Sequence, residues 1–170
     1  MIELKIVAAL SENRVIGNDG RRPWSQPDDI TRFELLTRNH PVIIGRKRLQ
    51  DLWIRYNGRP PNHRHYIVLS KSREGFGTGI DLARYFEEAV DIAEFYAEKS
   101  NTNLIYVGGG EKVFRTALAY PRTTLMELTH VNGVYPGDAY FPEVGRDWDE
   151  IHREFFDEQN YSLAIYKRAA

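Results

Sequence analysis

Short apolar runs alternate with helical patterns along most of the chain, and this alternation limits the folds that it can adopt. The apolar runs are KIVAAL (5–10), PVIIG (41–45), HYIVLS (65–70), NLIYVG (103–108) and TLMELTHV (124–131). Runs of this kind predict strands that are buried on both faces, as in the interior of a parallel sheet. The later segments EIHREFF (150–156) and YSLAIYKR (161–168) alternate more visibly, which predicts antiparallel edge strands.

Helical patterns lie between these strands. They are PDDITRFELLTR (27–38), GRKRLQDLW (45–53), FEEAVDIAEFYAEKS (86–100) and EKVFRTALAY (111–120). In the third helix one face carries Phe86, Ala89, Val90, Ala93 and Ala97. We therefore predict a single α/β domain over residues 1–170. Its central sheet is mostly parallel, with an antiparallel C-terminal strand and flanking helices. The long loops at 11–26 and 53–64 are candidate functional segments.

Composition excludes several classes of protein. The net charge of −1 shows no basic excess, so we expect no nucleic-acid partner. The chain has no cysteine, which excludes disulfides and thiolate chemistry. No apolar run approaches the ~20 residues of a membrane span, and the N-terminus with Glu3 and Lys5 is a poor signal peptide. A cytoplasmic protein is therefore expected. The histidine spacings predict no metal site, and no G-x-S-x-G motif indicates acyl-transfer chemistry.

Two glycine-containing turns are candidates for binding phosphate. IYVGGGEKVF (105–114) and VIIGRKRLQDL (42–52) each predict a strand, a glycine turn and a helix start, and the second adds Arg46, Lys47 and Arg48. Helix N-termini attract anions, and three cations placed there oppose the helix dipole unless an anion offsets them. A tight structural turn and a solvated basic turn remain the alternatives. Lys71 and Arg73 follow a further strand, so a nucleotide with several phosphates would join these observations.

The stretch PWSQPDDITRF (23–33) contains a candidate functional acid. On a helix Asp29 shares a face with Phe33, while Asp28 is turned about 100° away toward solvent. Ile30, Phe33 and Leu36 form the expected core stripe. Apolar surroundings disfavour the ionised form of a carboxylate, which prepares it as an acid or a strong hydrogen-bond acceptor. The alternative is that both aspartates only cap the helix.

The combination of motifs resembles the dihydrofolate reductases. AALSENRVIGNDGRRPWSQPDD (8–29) is similar to the first strand and mobile active-site loop of that family. The resemblance continues in order through ITRF, PVIIGRK, NHRHYIVLS, YVGGGEKVF, LTHV and GDAYFPEV, and it extends from Ile6 to about Arg168. It implies a dihydrofolate reductase-like fold and a cytoplasmic, monomeric oxidoreductase. The reaction would transfer a hydride from NADPH to C6 of dihydrofolate, with protonation at N5.

The resemblance also implies roles in binding dihydrofolate. Asp29 would accept hydrogen bonds from the pterin 2-amino group and N3, Trp24 would hold an ordered water near it, and Thr129 would hydrogen-bond the carboxylate. Arg64, rather than Arg59 upstream, would clamp the glutamate α-carboxylate. The remaining substrate-binding positions would be Val7, Ala8, Ile30, Phe33 and Leu52.

For NADPH, the resemblance implies three groups of residues. Arg46, Lys47, Ser70 and Lys71 would surround the adenosine ribose and its 2′-phosphate. Ala9 and Ile16 would meet the nicotinamide amide through backbone groups. The residues that would lie against the pyrophosphate are Gly45, Arg48, Gly108, Gly109, Gly110, Glu111, Lys112 and Val113.

Some positions depart from the family pattern. Arg48 and Leu49 replace the usual threonine and aromatic residue, and Phe114 replaces a tyrosine. Arg22 stands where a hydrophobic loop residue is common. In the alignment without an insertion, the family's cis peptide falls at Gly109–Gly110.

Two other functions remain open from the sequence. A reductase of the same fold that acts on a pyrimidine intermediate of riboflavin synthesis would retain the NADPH site, but it does not explain Asp29, Trp24 and Arg64 together. A non-catalytic module that binds nucleotide or folate is the other alternative, and an intact Asp29 gives it little support.

Overall fold

The computed structural model describes residues 1–57, 64–72 and 79–170. The strands in these ranges are β1 Glu3–Ser11, β2 Val15–Gly17, β3 Pro41–Gly45, β4 His65–Leu69, β5 Ile80–Ala83, β6 Leu104–Val107, β7 Thr123–Val131, β8 Ala139–Tyr140, β9 Trp148–Phe156 and β10 Tyr161–Arg168. The helices are α1 Pro27–Thr37, α2 Arg46–Arg55, α3 Phe86–Lys99 and α4 Glu111–Ala119. Of these described helices, none combines the length and apolarity needed to cross a membrane.

Eight strands form one sheet in the order β5-β4-β3-β6-β1-β7-β10-β9. Neighbours from β5 to β7 pair in parallel, and β10 pairs antiparallel with both β7 and β9. The predicted α/β class with a mostly parallel sheet and antiparallel C-terminal strands is therefore confirmed. Of the two predicted edge strands, β9 is at the edge, but the prediction for YSLAIYKR is wrong, because β10 lies between β7 and β9. The four predicted helices are also present, with ends shifted by no more than two residues.

Three short strands were not predicted. The prediction of an uninterrupted loop at 11–26 is wrong at β2, which pairs with β8, and β5 was also missed. The β2–β8 pair depends on a close approach, because a Cβ atom on Gly137 would lie 2.3 Å from Val15 Cγ1. Asp138 Oδ2 then accepts a hydrogen bond from the Asp19 amide at 3.0 Å. The segment GDAYFPEV thus anchors the chain that leads from β2 to α1.

Apolar cores lie on both faces of the sheet. The predicted α3 face is confirmed, since Phe86, Ala89, Val90, Ala93 and Ala97 are all buried in one core. The opposite core combines residues of α1 and α2 with the sheet, and it includes Phe33, Leu49, Leu52, Val42, Ile44 and Tyr66. The predicted stripe on α1 is only partly correct, because Phe33 is buried but Ile30 and Leu36 are half-buried.

A charged cluster ties α1 to the sheet. Glu127 on β7 is 2% exposed, and its carboxylate pairs with Lys5 on β1 and with Arg32 on α1. Arg32 Nε donates to Glu127 Oε1 at 2.6 Å. Each carboxylate oxygen therefore has a cationic partner, as a buried ion pair requires. It sets the position of α1 over β1 and β7.

A second polar network lies on the antiparallel strands. His130 Nε2 is 3.0 Å from the Tyr166 hydroxyl, to which Arg153 donates at 3.1 Å. Arg153 also donates to Glu150 at 2.7 Å. Burial lowers the pKa of His130 from 6.5 to about 4; Arg153 lowers it further and Glu150 opposes the shift. The folded protein therefore holds this imidazole neutral.

His130 should make the protein less stable in mild acid. Between pH 6.5 and about 4 the unfolded chain binds a proton that folded His130 does not, so stability is complete above this window and falls as the pH falls. We expect His130→Gln to remove roughly 1 kcal/mol of the stability loss between pH 7 and pH 5, allowing for partial solvent screening. Urea unfolding of the wild type and the variant at pH 7 and pH 5 measures this difference in the free energy of unfolding. The control is His152→Gln at an exposed position, and an unchanged pH dependence in His130→Gln would contradict the assignment.

Candidate active site

Asp29 occupies a buried position in the first turn of α1. Pro27 begins the helix, Asp28 is exposed, and Asp29 is only 6% exposed. The N-cap residue is Gln26, so neither aspartate occupies that position, although both lie in the first turn. Phe33, one turn further along, is also buried. The i and i+4 spacing therefore places the carboxylate beside apolar surface, as predicted.

The partner of Asp29 is an arginine. Arg22 Nη1 donates to Asp29 Oδ2, and the two side chains form an ion pair. Trp24 packs edge-to-face on Tyr135, with ring centroids 5.6 Å apart. Its indole Nε1 is buried and meets no hydrogen-bond acceptor among the described residues. A buried N–H of this kind requires a water or a ligand as its partner.

The wall beside Asp29 is apolar. Val7 packs in the same core as Phe33 and Leu52, and Ile30 is half-buried. Thr129 is buried and pairs in register with Ala9, so both face the α1 side of the sheet together with Val7. The side chain of Ala8 belongs to the core on the opposite face. Ala8 could therefore border this site only through its backbone.

Arg64 lies at the other end of α1. Its Nε donates to Thr37 Oγ1 at 2.7 Å, and its Nη2 donates to the carbonyl of Glu34. The Thr37 hydroxyl donates in turn to the Phe33 carbonyl at 2.7 Å. The guanidinium is thus oriented by the C-terminal turn of the helix that carries Asp29. Arg59, the upstream arginine, lies outside the described residues.

Three arginines, Arg22, Arg48 and Arg55, lie close to one another. The Arg48 guanidinium lies 5.8 Å from the centroid of the Phe33 ring. Burial lowers its pKa to about 9, and repulsion from Arg22 and Arg55 contributes. Burial and Arg22 also lower the pKa of Arg55. Burial raises the pKa of Asp51, although the nearby charges of Arg48 and Arg55 oppose this shift. This arginine cluster therefore adds positive charge near Asp29 that the sequence motifs did not indicate.

The glycine turn and the start of α2 form one cradle. The Gly45 amide donates to the Gly109 carbonyl at 2.7 Å, and the Gly108 amide donates to Ile43 at 2.9 Å. Gly45 and Gly110 are the N-cap residues of α2 and α4, so two helix N-termini lie side by side. A Cβ atom on Gly108 would lie 3.1 Å from Ile44 Cγ2. This arrangement suits an anion with more than one phosphate.

The predicted cis peptide at Gly109–Gly110 is confirmed. Beyond it, Val113 is buried and its Cγ2 lies 3.3 Å from the position of a Cβ on Gly45. Lys112 is exposed, whereas Glu111 pairs with Arg115 at 3.3 Å. Phe114 packs against Phe141, with centroids 5.0 Å apart. The side chain of Phe114 therefore lies in the core beside a second aromatic ring.

Basic residues lie at the carboxyl ends of two adjacent strands. Gly45 pairs in register with Leu69, which places Arg46 beside Ser70. The Ser70 hydroxyl donates to the Ser72 carbonyl at 2.8 Å, and Lys47 and Lys71 are exposed. Ile16, on β2, packs partly against the α3 core. Arg73, which the sequence added to this group, lies outside the described residues.

Comparison with known proteins identifies the family. The dihydrofolate reductase family model matches residues 3–168. The chain belongs to the dihydrofolate reductase family. It is 34% identical over 168 residues to dihydrofolate reductase HdrB of Haloferax volcanii, covering 98% of this chain and 84% of that protein. It is 33% identical over 160 residues to the dihydrofolate reductase of Haemophilus influenzae, covering 91% and 90% of the two chains.

A solved structure has the same fold. The dihydrofolate reductase of Enterococcus faecalis, in complex with NADP(H) and RAB-propyl, superposes with a TM-score of 0.79 at 24% identity. The match covers 99% of this chain and 97% of that chain. The predicted dihydrofolate reductase-like architecture is therefore confirmed. The roles assigned above to individual residues remain predictions.

Within the dihydrofolate reductase family pattern, two features of this site were not found from sequence. The first is the contact between Arg22 and Asp29, because a loop residue before a helix has no periodicity that predicts its partner. The second is the Glu127 cluster, whose members lie on three different elements. The acidic residue within the apolar run TLMELTHV was the only signal, and it did not identify Lys5 or Arg32 as partners.

Proposed function

We propose that this chain reduces 7,8-dihydrofolate to tetrahydrofolate with NADPH, with hydride addition at C6 and protonation at N5. The observation that supports this most is the buried Asp29 on α1, combined with a two-helix glycine cradle at the same edge of the sheet. The first accounts for recognition of a pterin, and the second for a dinucleotide. Membership of the family supports the combination.

Asp29 recognises the pterin and favours its protonation. An ionised carboxylate offers two acceptor oxygens, which match the 2-amino group and N3 of the ring. Holding negative charge there favours a proton on N5, and water delivers it. The buried Trp24 Nε1 holds that water near the carboxylate, which gives the indole its missing acceptor. Thr129 hydrogen-bonds the carboxylate from β7.

The rest of the substrate follows the surface of α1. Val7, Ile30, Phe33 and Leu52 pack against the pterin and benzoyl rings, with the backbone of Ala8 behind them. Arg64 takes the glutamate α-carboxylate in a two-bond contact. Its anchoring by Thr37 and the Glu34 carbonyl supports this role, because both partners fix the guanidinium plane before substrate arrives.

The cofactor residues lie around the cradle. NADPH, when bound, supplies the hydride. Gly45 and Gly108 to Gly110 present backbone and helix N-termini to the pyrophosphate, and Arg48, Glu111, Lys112 and Val113 border it. The backbone of Ala9 and Ile16 holds the nicotinamide amide. Arg46, Lys47, Ser70 and Lys71 receive the adenosine ribose and its 2′-phosphate, which selects NADPH over NADH.

The 2′-phosphate assignment has a direct test. Arg46→Ala combined with Lys71→Ala should reduce the preference for NADPH over NADH by roughly 10- to 100-fold, because two charge-assisted contacts are lost. Steady-state kcat/KM for both cofactors measures this preference. Lys167→Ala, which removes an exposed cation from β10, is the control. An unchanged preference in the double variant would place the 2′-phosphate elsewhere.

The reaction itself is tested by NADPH oxidation with and without dihydrofolate. Oxidation that depends on dihydrofolate supports the proposal. NADPH binding without such oxidation would favour the pyrimidine reductase if a ribosylamino-pyrimidine is reduced, and otherwise the non-catalytic binding module.

All the proposed residues belong to one chain, so we propose a monomer as the functional unit, which light scattering tests. Since the fold needs no disulfide, we propose the cytoplasm as its compartment.

A further inference from the structure

The segment between β2 and α1, residues 18–26, approaches both α1 and α2. Arg22 in this segment is 19% exposed and pairs with Asp29 on α1. A Cβ atom on Gly20 would lie 3.1 Å from Asp51 Oδ1, so the same segment also approaches α2. The segment therefore contacts both helices that border the proposed pterin site, and one of its contacts is with the acid proposed to bind the pterin.

The chemistry of Arg22 resembles that of the substrate edge. A guanidinium is planar and presents adjacent N–H groups, as do the 2-amino group and N3 of a pterin. Both are donors directed at a carboxylate, and Asp29 is only 6% exposed with Arg22 already on Oδ2, so little of its surface is open to a second set of donors. Arg22 and the pterin therefore compete for one acceptor.

We propose that Arg22 is the resident counter-ion of Asp29 and that dihydrofolate must displace it to bind. This inference rests on the proposed function of Asp29 as the pterin acceptor. It makes Arg22 a specificity-determining residue: a ligand occupies the site only if its own donors replace those of the guanidinium. The pair also gives an almost fully buried carboxylate a partner of opposite charge.

The surrounding charges favour release of Arg22 once a ligand is present. Arg22 lies close enough to Arg48 and Arg55 for its charge to help lower the pKa of both groups, after burial. When a neutral pterin takes the carboxylate, Arg22 loses its best partner and remains beside two like charges. It should then turn toward solvent, which its position in a loop permits. Binding is thus an exchange of donors on Asp29.

The first experiment compares folate affinity among variants of one loop. Arg22→Leu removes the competitor and should tighten the dissociation constant for folate about tenfold, the size of one charge-assisted hydrogen bond. Arg22→Lys keeps the charge without the planar fork and should fall between wild type and Arg22→Leu. Arg21→Leu removes an exposed neighbouring cation and is the matched control. Quenching of tryptophan fluorescence by folate measures binding, and thermal melts verify folding of each variant.

Kinetics separate this role from a purely structural one. In Arg22→Leu we expect the fold-decrease in KM for dihydrofolate to be larger than any fold-change in kcat, because Arg22 competes with substrate binding. A folate affinity in Arg22→Leu that equals or is weaker than wild type overturns the inference. A crystal structure of the wild-type folate complex with Arg22 still paired to Asp29 overturns it as well, even if a variant fails to fold.

The same measurements distinguish failure of this inference from failure of the proposed function. Wild-type protein that oxidises NADPH with dihydrofolate, together with no gain in Arg22→Leu, contradicts only the role of Arg22. Wild-type protein that neither binds folate nor shows turnover contradicts the proposed function, and the inference falls with it.

Discussion

Asp29→Asn should lose most turnover near neutral pH, by at least about 100-fold, while the protein still folds and binds NADPH. Asparagine preserves the shape of the side chain but removes the negative charge that favours a proton on N5. Losses of this size are typical when the group that controls a proton transfer is removed. In acid, where solvent can protonate the substrate directly, part of the activity should return. The measurement is NADPH oxidation followed by absorbance across the pH range.

Asp28→Asn provides the matched control for this experiment. Asp28 is the adjacent residue in the same helical turn, but it is exposed. The substitution Asp28→Asn removes one negative charge from the same positive helix end, as Asp29→Asn does, but leaves the proposed pterin contact intact. We expect near-normal turnover. Normal activity of Asp29→Asn at neutral pH would disprove the assignment of Asp29, whereas an equal loss in both variants would indicate a general effect on the helix.

Glu127→Gln should reduce the free energy of unfolding by about 2–3 kcal/mol. The substitution leaves Lys5, which is 13% exposed, without its carboxylate partner in the interior. Breaking a buried pair typically costs 3–5 kcal/mol, and the expected value is lower here because Arg32 can turn partly toward solvent. Urea unfolding of the wild type and the variant at neutral pH measures the difference.

A surface pair of the same chemistry is the control for Glu127. Arg14 and Glu143 lie 3.4 Å apart, and the carboxylate is largely exposed. Glu143→Gln should therefore change stability by less than about 1 kcal/mol. If Glu127→Gln has an effect as small as this, the buried cluster does not fix α1 on the sheet.

Among folded molecules of Glu127→Gln, we also expect dihydrofolate binding to weaken more than NADPH binding, because Asp29 is on α1.

Local sequence patterns predicted the main elements well. The four helices and the seven predicted strands follow from apolar patterns, because burial is a local requirement that repeats along each element. The strands β2 and β8 were missed because elements of two or three residues are too short to show a period. The strand β5 is as long as β6, but Asp81 interrupts its apolar run. The cis Gly109–Gly110 peptide was predicted from family resemblance, and periodicity contains no signal for it.

The functional site also has features that local sequence patterns predicted and features that they did not. The spacing of Asp29 and Phe33 predicted a buried carboxylate, and Asp28 was correctly placed in solvent. The cradle of two glycine turns followed from strand ends that meet at one edge of a parallel sheet. The position of Asp29 and the glycine cradle both follow from the regular geometry of helices and strands, which can be read from a few neighbouring residues.

By itself, the sequence determined the α/β class, the order of its long elements and the position of the acid on α1, because these depend on short-range periodicity. Only the tertiary structure decided which charges meet. Arg22 reaches Asp29 from a loop, and Glu127 gathers partners from β1 and α1. Long flexible side chains can join residues that are far apart in the chain, and their pairing depends on how loops and layers pack. For that reason the counter-ion of Asp29 became visible only in the folded protein.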